Sequence, residues 1–183
     1  MIRRSFLMLA CATLALSACG FQLRGQQDFP FKRLAIVGAA PPVEARITRL
    51  VEGGSDTVVV SSPSNADAVL HIGEGRGVST LTLNSLGVVE EYQVNLTLTY
   101  TLVGADGRVL LQPSQIALNR AMTYSDQFSQ AKVAEADLLW ADMQRDAVDQ
   151  LLRRLAVVHT LTPAPGQEVP GIAPGAPLPP PPL

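Results

Sequence analysis

Residues 94–102 read VNLTLTYTL, and this stretch decides the fold. Apolar side chains stand at every second position, and asparagine or threonine fills the positions between them. Side chains of a β-strand point alternately to the two faces of its sheet, so the pattern predicts a strand with one covered and one uncovered face. The fold should therefore contain a sheet that other elements cover on one side only.

Further strand patterns follow this stretch. Residues 104–107 read GADG, in which Asp-Gly indicates a hairpin turn. The next strand is predicted over residues 108–124. Pro113 lies within it and indicates an edge strand or a bulge, because proline cannot donate a hydrogen bond to a neighbouring strand.

The chain before residue 94 adds two more strand patterns. Residues 57–60 and 68–72 are mostly apolar, and we interpret them together as one strand-forming stretch. Residues 33–38 read RLAIVG, a short apolar run that ends in glycine and predicts the first strand.

Two helices are predicted by apolar residues that recur at intervals of three or four. The first begins at Pro41 and Pro42, which suit the first turn of a helix, and ends near Gly54. The second runs from about Phe128 to Val158.

The element order β-α-β-β-β-α predicts an α+β fold. Two helices would pack on one face of a four-stranded, mostly antiparallel sheet, in a domain that spans residues 29–160. The other face of the sheet would be uncovered. Between Gly77 and Gly107 the only charged residues are Glu90, Glu91 and Asp106. Hydroxyl and amide groups can be enclosed at lower desolvation cost than charges, so this composition favours a face that lies against a partner over one that faces solvent.

The N-terminus has the features of a lipoprotein signal sequence. MIRR is followed by an apolar run that is too short for a permanent membrane span. Leu16-Ser17-Ala18-Cys19 is similar to the lipobox of bacterial lipoproteins, in which a thioether joins diacylglycerol to the cysteine. We therefore expect residues 1–18 to be a signal peptide, Cys19 to carry lipid and residues 19–28 to form a lipidated linker. Gly20 in place of aspartate favours the outer membrane over the inner membrane.

Proline and glycine dominate the C-terminus. Residues 161–183 are nearly free of charge and lack the apolar pattern of a core, so they are expected to form a disordered tail. An alternative is that the tail is a peptide ligand for a partner.

The chemical inventory argues against catalysis and against nucleic-acid binding. Loss of Arg3 and Arg4 with the signal peptide leaves 12 basic against 16 acidic side chains, whereas nucleic-acid binding needs a basic face. His71 and His159 have no ligand spacing, and Cys19 is the only cysteine of the mature chain. We expect no enzyme activity, no metal and no cofactor.

Several motifs resemble the LptE family of lipopolysaccharide-assembly lipoproteins. Residues 19–25, CGFQLRG, are similar to the start of the mature family members. Residues 91–93, EYQ, open the long middle strand as they do in the family, and Arg120 lies near the end of the last strand. Lys132 and residues 149–155, DQLLRRL, resemble the family's C-terminal helix. The resemblance covers most of the chain between Cys19 and the proline-rich tail.

The resemblance implies a fold of two helices on a four-stranded sheet and a function without catalysis. Family members plug the barrel of LptD at the outer membrane and face the periplasm and the barrel lumen. It therefore implies an LptD-like β-barrel and lipopolysaccharide as partners. A polar barrel lumen would account for the uncharged sheet face.

The resemblance also implies lipopolysaccharide contact through basic residues. Lys132 matches one such position, whereas a second position, in the turn before the long middle strand, is Ser85 here. Arg120 is a candidate substitute, as are Arg76 and Arg108 by charge alone. The alternative function is a periplasm-facing lipoprotein that binds a glycolipid or peptide without a barrel partner.

Overall fold

A computed structural model describes residues 27–125, 129–163 and 169–170. The predicted signal peptide, Cys19 and most of the predicted tail lie outside the described residues. In chain order, the elements are β1 (Arg33–Val37), α1 (Pro41–Gly54), β2 (Val58–Val60), a 3₁₀ turn (Pro63–Asn65), β3 (Ala68–Leu83), β4 (Val89–Gly104), β5 (Val109–Thr123) and α2 (Ser129–Leu155). In these ranges, neither helix is long and apolar enough to cross a membrane.

The sheet is mixed and has five strands in the order β2-β1-β3-β4-β5. The prediction of an α+β fold with two helices is confirmed, but the prediction of four mostly antiparallel strands is wrong. Residues 57–60 and 68–72 contribute to separate strands, because the chain crosses over β1 through the 3₁₀ turn, and β3 then runs parallel to β2 on the other side of β1. β1 is parallel to β2 and to β3, whereas β3, β4 and β5 are antiparallel to one another.

The core lies between the two helices and one face of the sheet. The alternating apolar side chains of β4 lie at the centre of this core, where each is at most 4% exposed. The buried apolar side chains of β4 and the helices are Val94, Leu96, Leu98, Tyr100 and Leu102 from β4, Val43, Ile47 and Val51 from α1, and Ala136, Met143, Ala147, Val148, Leu151, Leu152 and Leu155 from α2. Burial of this size explains why two amphipathic helices of limited intrinsic stability form here.

Asp67 fastens β1 to the start of β3. Its carboxylate accepts hydrogen bonds from the backbone N–H groups of Lys32 and Arg33, at 3.0 and 2.9 Å. The Arg33 guanidinium donates two more, at 3.2 and 2.7 Å. These side-chain hydrogen bonds from Arg33 hold the pKa of Asp67 below its ordinary value.

Two local predictions for β4 and β5 are confirmed. The turn between them contains Gly107 at φ +81°, a conformation that favours glycine. The register between β4 and β5 shifts where Tyr100 pairs with Ser114 and Leu102 pairs with Leu111, which places an irregularity at Pro113. The start of the second helix was predicted at Phe128, which lies outside the described residues, and the helix ends at Leu155.

Candidate functional site

The sheet surface opposite the helices carries small and uncharged residues. We call it the open face. It is formed by His71, Gly73, Gly75, Gly77 and Ser79 of β3, by Gln93, Asn95, Thr97, Thr99 and Thr101 of β4, and by Gln115, Ala117, Asn119 and Ala121 of β5. None of these residues is buried, and none is Asp, Glu, Lys or Arg. Beyond Gln93, the next residue of β4 on this side of the sheet is charged: the Glu91 carboxylate accepts a hydrogen bond from Thr82 at 3.2 Å.

Glycines make the β3 side of the open face flat. Gly73, Gly75 and Gly77 lie opposite Thr99, Thr97 and Asn95 of β4. The Thr99 hydroxyl occupies the space above Gly73, since a Cβ there would lie 2.6 Å from Oγ1. The same hydroxyl donates to the Gly73 carbonyl at 3.2 Å. A Cβ on Gly75 or Gly77 would meet no atom closer than 4.0 Å, so the β3 backbone is accessible at these two positions of the open face.

A long hairpin extends beyond the helices at one end of the sheet. Its turn is held by Asn84, whose side-chain oxygen accepts hydrogen bonds from the N–H groups of Leu86 and Val88 at 2.9 and 3.0 Å. Ser85 is exposed in this turn. The large apolar side chains that are exposed on this hairpin are Val78, Leu81, Leu83, Leu86 and Val88. Leu86 is 85% exposed, which makes the hairpin an apolar projection. Sequence analysis missed it, although the charge-free stretch from residue 77 to residue 89 was its signal.

The two cations predicted to contact lipopolysaccharide lie along the seam between β5 and α2. The Arg120 guanidinium donates to the Asp146 carboxylate at 2.7 Å. The Lys132 ammonium donates to the Glu135 carboxylate at 2.7 Å and to the Thr123 hydroxyl at 3.2 Å. Each cation has its own acidic partner, so the two do not form one concentrated positive patch. Their contact with lipopolysaccharide stays a prediction.

The described chain begins beside the C-terminal end of α1. The Gln27 N–H donates to the Gly54 carbonyl at 2.8 Å. A cavity of about 280 Å³ lies here between the two helices, lined among others by Arg49, Asp149 and Leu152. Cys19 lies outside the described residues, and its lipidation stays a prediction.

Potential metal-ligating side chains do not cluster in the part of the chain that the structure describes. No group of three or more His, Asp, Glu or Cys side chains that could hold a metal occurs in ranges 27–125, 129–163 and 169–170. His71 lies on the open face, and His159 lines a separate cavity of about 250 Å³ beyond the end of α2. In the part of the chain that the structure describes, the geometry is that of a small two-layer α+β domain with one uncovered sheet face.

Comparison with known proteins identifies the family. The chain belongs to the LptE family, described as lipopolysaccharide-assembly, whose family model matches residues 31–155. This confirms the resemblance. The prediction that the chain is not an enzyme is also confirmed, because the family is described by an assembly role.

Curated relatives match most of the chain. The LPS-assembly lipoprotein LptE of Yersinia enterocolitica is 29% identical over 160 residues, which cover 84% of this chain and 75% of that protein. The protein of the same name from Photorhabdus laumondii is 25% identical over 157 residues, with coverages of 84% and 85%.

Solved structures share the fold. The solution NMR structure of lipoprotein B from Nitrosomonas europaea is 30% identical and has a TM-score of 0.63, covering 75% of this chain and 91% of that one. The crystal structure of rare lipoprotein B from Shewanella oneidensis has a TM-score of 0.55 at 22% identity, with coverages of 68% and 94%. The second likeness concerns the fold alone.

Proposed function

We propose that this chain is a non-catalytic outer-membrane lipoprotein that plugs and supports an LptD-like β-barrel during lipopolysaccharide assembly. Its open face lies against the inner wall of the barrel. Family membership supports the role in lipopolysaccharide assembly. The observation that supports the role as a plug is the composition of the open face, which has no Asp, Glu, Lys or Arg.

The composition of the open face fits a polar lumen. The interior of a membrane barrel presents polar side chains, in contrast to its apolar outer surface. Threonine, asparagine and glutamine can exchange water for such partners and keep their hydrogen bonds. Lysine or glutamate in the same place would lose hydration that an uncharged wall does not restore. The open face is therefore suited to enclosure by a polar surface and unsuited to an apolar one.

A lipid anchor on Cys19 would hold the plug at the membrane. Stable anchoring takes more than one acyl chain, and a lipoprotein cysteine typically carries three. We expect Cys19→Ala to yield an unprocessed or soluble protein. Mass spectrometry of the mature wild-type chain is the measurement, and an unmodified Cys19 at its start would contradict the anchor.

Lys132 and Arg120 are proposed to contact the phosphate groups of lipopolysaccharide. The pair of Arg120 with Asp146 is exposed on both sides, so screening makes it weak and exchangeable, whereas the Lys132 side chain is 18% exposed and would have to exchange Glu135 for a phosphate. Lys132→Ala and Arg120→Ala should each weaken binding of purified lipopolysaccharide by about tenfold, as expected for loss of one charged hydrogen bond. Arg145→Ala is the control, because Arg145 pairs with Asp142 and is 59% exposed. Equal affinities for all the variants would contradict direct contact.

Two alanine-to-lysine variants test which face meets the barrel. Ala117 lies at the centre of the open face opposite Thr97, whereas Ala141 is exposed on α2. Both sites are exposed in the free domain, so each lysine should change the free energy of unfolding by less than about 0.5 kcal/mol. Against the barrel wall, the lysine of Ala117→Lys would lose its hydration. The amount of barrel protein that co-purifies with this variant should therefore fall by at least about tenfold.

The assay is co-purification from detergent-solubilised outer membrane. The proposal predicts that wild type and Ala141→Lys recover a large β-barrel protein and that Ala117→Lys does not. Equal recovery by both variants would show that the open face is not the contact. Wild-type protein that emerges alone, and whose purified form binds lipopolysaccharide tightly, would instead support the barrel-free alternative.

A further inference from the structure

Among the described residues, no strand lies beside the outer side of β3 (Ala68–Leu83) beyond His71. β1 pairs with β3 only as far as Val37 opposite His71. Gly38, at φ +82°, then turns the chain away towards α1. In the described ranges, no strand pairs with the outer side of β3 after His71. We call the segment Glu74–Thr80 on this side the outer edge of β3.

The direction of the backbone groups on this edge follows from two contacts. The Gly73 carbonyl faces β4, because it accepts the Thr99 hydroxyl. The Ile72 carbonyl faces the opposite way, because a Cβ on Gly38 would overlap its oxygen. The register with β4 is regular from Ala68 to Thr80, so the alternation continues along the strand. The residues whose backbone N–H and C=O groups face outward are therefore Glu74, Arg76, Val78 and Thr80.

The opposite edge of the same sheet is blocked. On β5, Pro113 has no N–H to donate, and the Gln112 N–H donates to the Pro170 carbonyl at 3.0 Å. The Gln115 carbonyl accepts a hydrogen bond from Arg154 at 3.1 Å. The Asn119 carbonyl accepts one from Arg120 at 2.9 Å. Proline and basic side chains are the usual means by which proteins prevent strand addition at an edge.

In the described ranges, the outer edge of β3 has no proline, and its one basic side chain, Arg76, turns towards α2. On the open-face side of the edge, Gly75 and Gly77 have no side chains, and Ser79 contributes only a small one. On the helix side, the carboxylate of Glu74 binds the Arg76 guanidinium at 2.7 Å and the Gln144 amide at 3.0 and 2.8 Å. Arg76 also lies over the Trp140 ring, with 5.6 Å between the guanidinium carbon and the ring centroid. The only two charges of the edge are thus held against α2, and the backbone groups stay accessible.

We propose that the outer edge of β3 accepts an extended segment of the barrel partner as a sixth strand of the sheet. This inference rests on the proposed function, because the segment comes from the protein that encloses the open face. Seven residues of β-strand span about 23 Å, enough for four outward-facing residues to pair. The added strand would continue the line of β1, in the place that Gly38 leaves empty.

The occupant is a strand and not a lipid or a cation, because only another backbone supplies donors and acceptors at the spacing of an edge. A second copy of this chain is the less suitable occupant. A stable dimer buries at least about 1,200 Å² in total, and a pair of seven-residue edges alone makes a smaller contact. A partner that already contacts the open face presents its segment at high effective concentration, so a short edge is sufficient.

Photocrosslinking in cells that contain the full lipoprotein tests the pairing. A photoreactive residue replaces Arg76, Val78 or Thr80, one position at a time, and the crosslinked peptides are identified by mass spectrometry. Strand addition predicts that all three probes reach one contiguous partner segment. The crosslinked residue should move by two positions each time the probe moves by two, because paired strands keep a fixed register. Probes at Thr97 and Thr99 report separately on the open face.

The outcomes separate this inference from the proposed function. If the probes at Thr97 and Thr99 reach the barrel but those on the edge reach scattered residues, a second copy or nothing, the strand is refuted and the plug stands. If no probe reaches a barrel, the proposed function fails as well. Stepwise crosslinks from the edge to one barrel segment support both.

Two variants of Val78 test the backbone group itself. Val78→Pro removes an N–H that faces outward, so the pairing of β3 with β4 does not require it. Val78→Thr keeps that N–H and changes only the polarity of the side chain. We expect Val78→Pro to lower barrel recovery by about fivefold, the loss of roughly one net hydrogen bond, and Val78→Thr to leave it unchanged. Circular dichroism of the purified full lipoproteins checks that both fold. Equal recovery by two folded variants would overturn the inference.

Discussion

Replacement of Gly38 by alanine should destabilise the domain far more than an ordinary glycine-to-alanine change. Gly38 has a φ of +82°, and left-handed backbone costs a residue with a Cβ about 1–2 kcal/mol. The new Cβ would also lie closer than 3.0 Å to the carbonyl oxygen of Ile72, a separation that requires the backbone to move. Relief of such an overlap costs about 1–3 kcal/mol, so the expected loss is about 2–5 kcal/mol of unfolding free energy.

Gly53 supplies the matched control. It lies in α1, its backbone has no positive φ, and a Cβ there would meet nothing within 4 Å. Alanine at this position should stabilise the protein by up to about 1 kcal/mol, because glycine is the poorer helix former. The same chemical change is therefore expected to have opposite signs at the two sites.

Urea unfolding followed by circular dichroism measures both effects. At equal slopes against urea, the midpoint of Gly38→Ala should fall and that of Gly53→Ala should stay or rise. A Gly38→Ala protein as stable as wild type would refute the assigned conformation of the β1–α1 connection. It would also mean that the backbone conformation of Gly38 does not end the pairing of β1 with β3.

Three further predictions concern the core, the contribution of Asp67 to the β1–β3 connection, and the pH dependence of that contribution. Leu98→Ala should cost about 2–5 kcal/mol, because Leu98 is 1% exposed in the core. Leu86→Ala, at the exposed hairpin tip, should cost less than about 0.5 kcal/mol, and equal losses in urea unfolding would contradict the assigned core. Asp67→Asn should cost about 1–2 kcal/mol at pH 7 through weaker hydrogen bonds to Arg33 and Lys32. The pKa of Asp67 is lowered in the folded state, so its stabilisation is complete above the ordinary carboxyl pKa of about 4 and is lost as the pH falls through the folded value. The stability difference between wild type and Asp67→Asn should therefore shrink on acidification below pH 4, and a difference that does not change with pH would contradict this assignment.

Local patterns in the sequence were sufficient to predict most of the fold. The alternation in residues 94–102 predicted both the strand and its buried face, because side-chain direction in a strand depends only on position. Pro113 predicted an irregularity for a reason equally local, its missing N–H. The fifth strand was missed because the apolar runs 57–60 and 68–72 do not show that β1 lies between them in the sheet. The insertion of β1 between β2 and β3 depends on pairings that are distant in sequence.

The candidate site was predictable in composition and less so in detail. The absence of charge between residues 77 and 89 is visible in the sequence, but the exposure of Leu86 follows from the length of the hairpin beyond the helices. Lys132 and Arg120 could be chosen by charge and resemblance. Their acidic partners could not, because the Asp146 that binds Arg120 lies 26 residues further along the chain.

The most direct test of whether a barrel encloses the open face is to measure the solvent accessibility of that face in intact cell envelopes. A single cysteine at Thr97 is treated with a water-soluble thiol reagent, first in envelopes and then in the purified lipoprotein without its partner. Cys19 does not react if it carries lipid. If a barrel encloses the open face, the cysteine at position 97 should be strongly protected from the reagent in envelopes and fully labelled in the purified protein. Full labelling in both preparations would contradict an open face enclosed by a barrel.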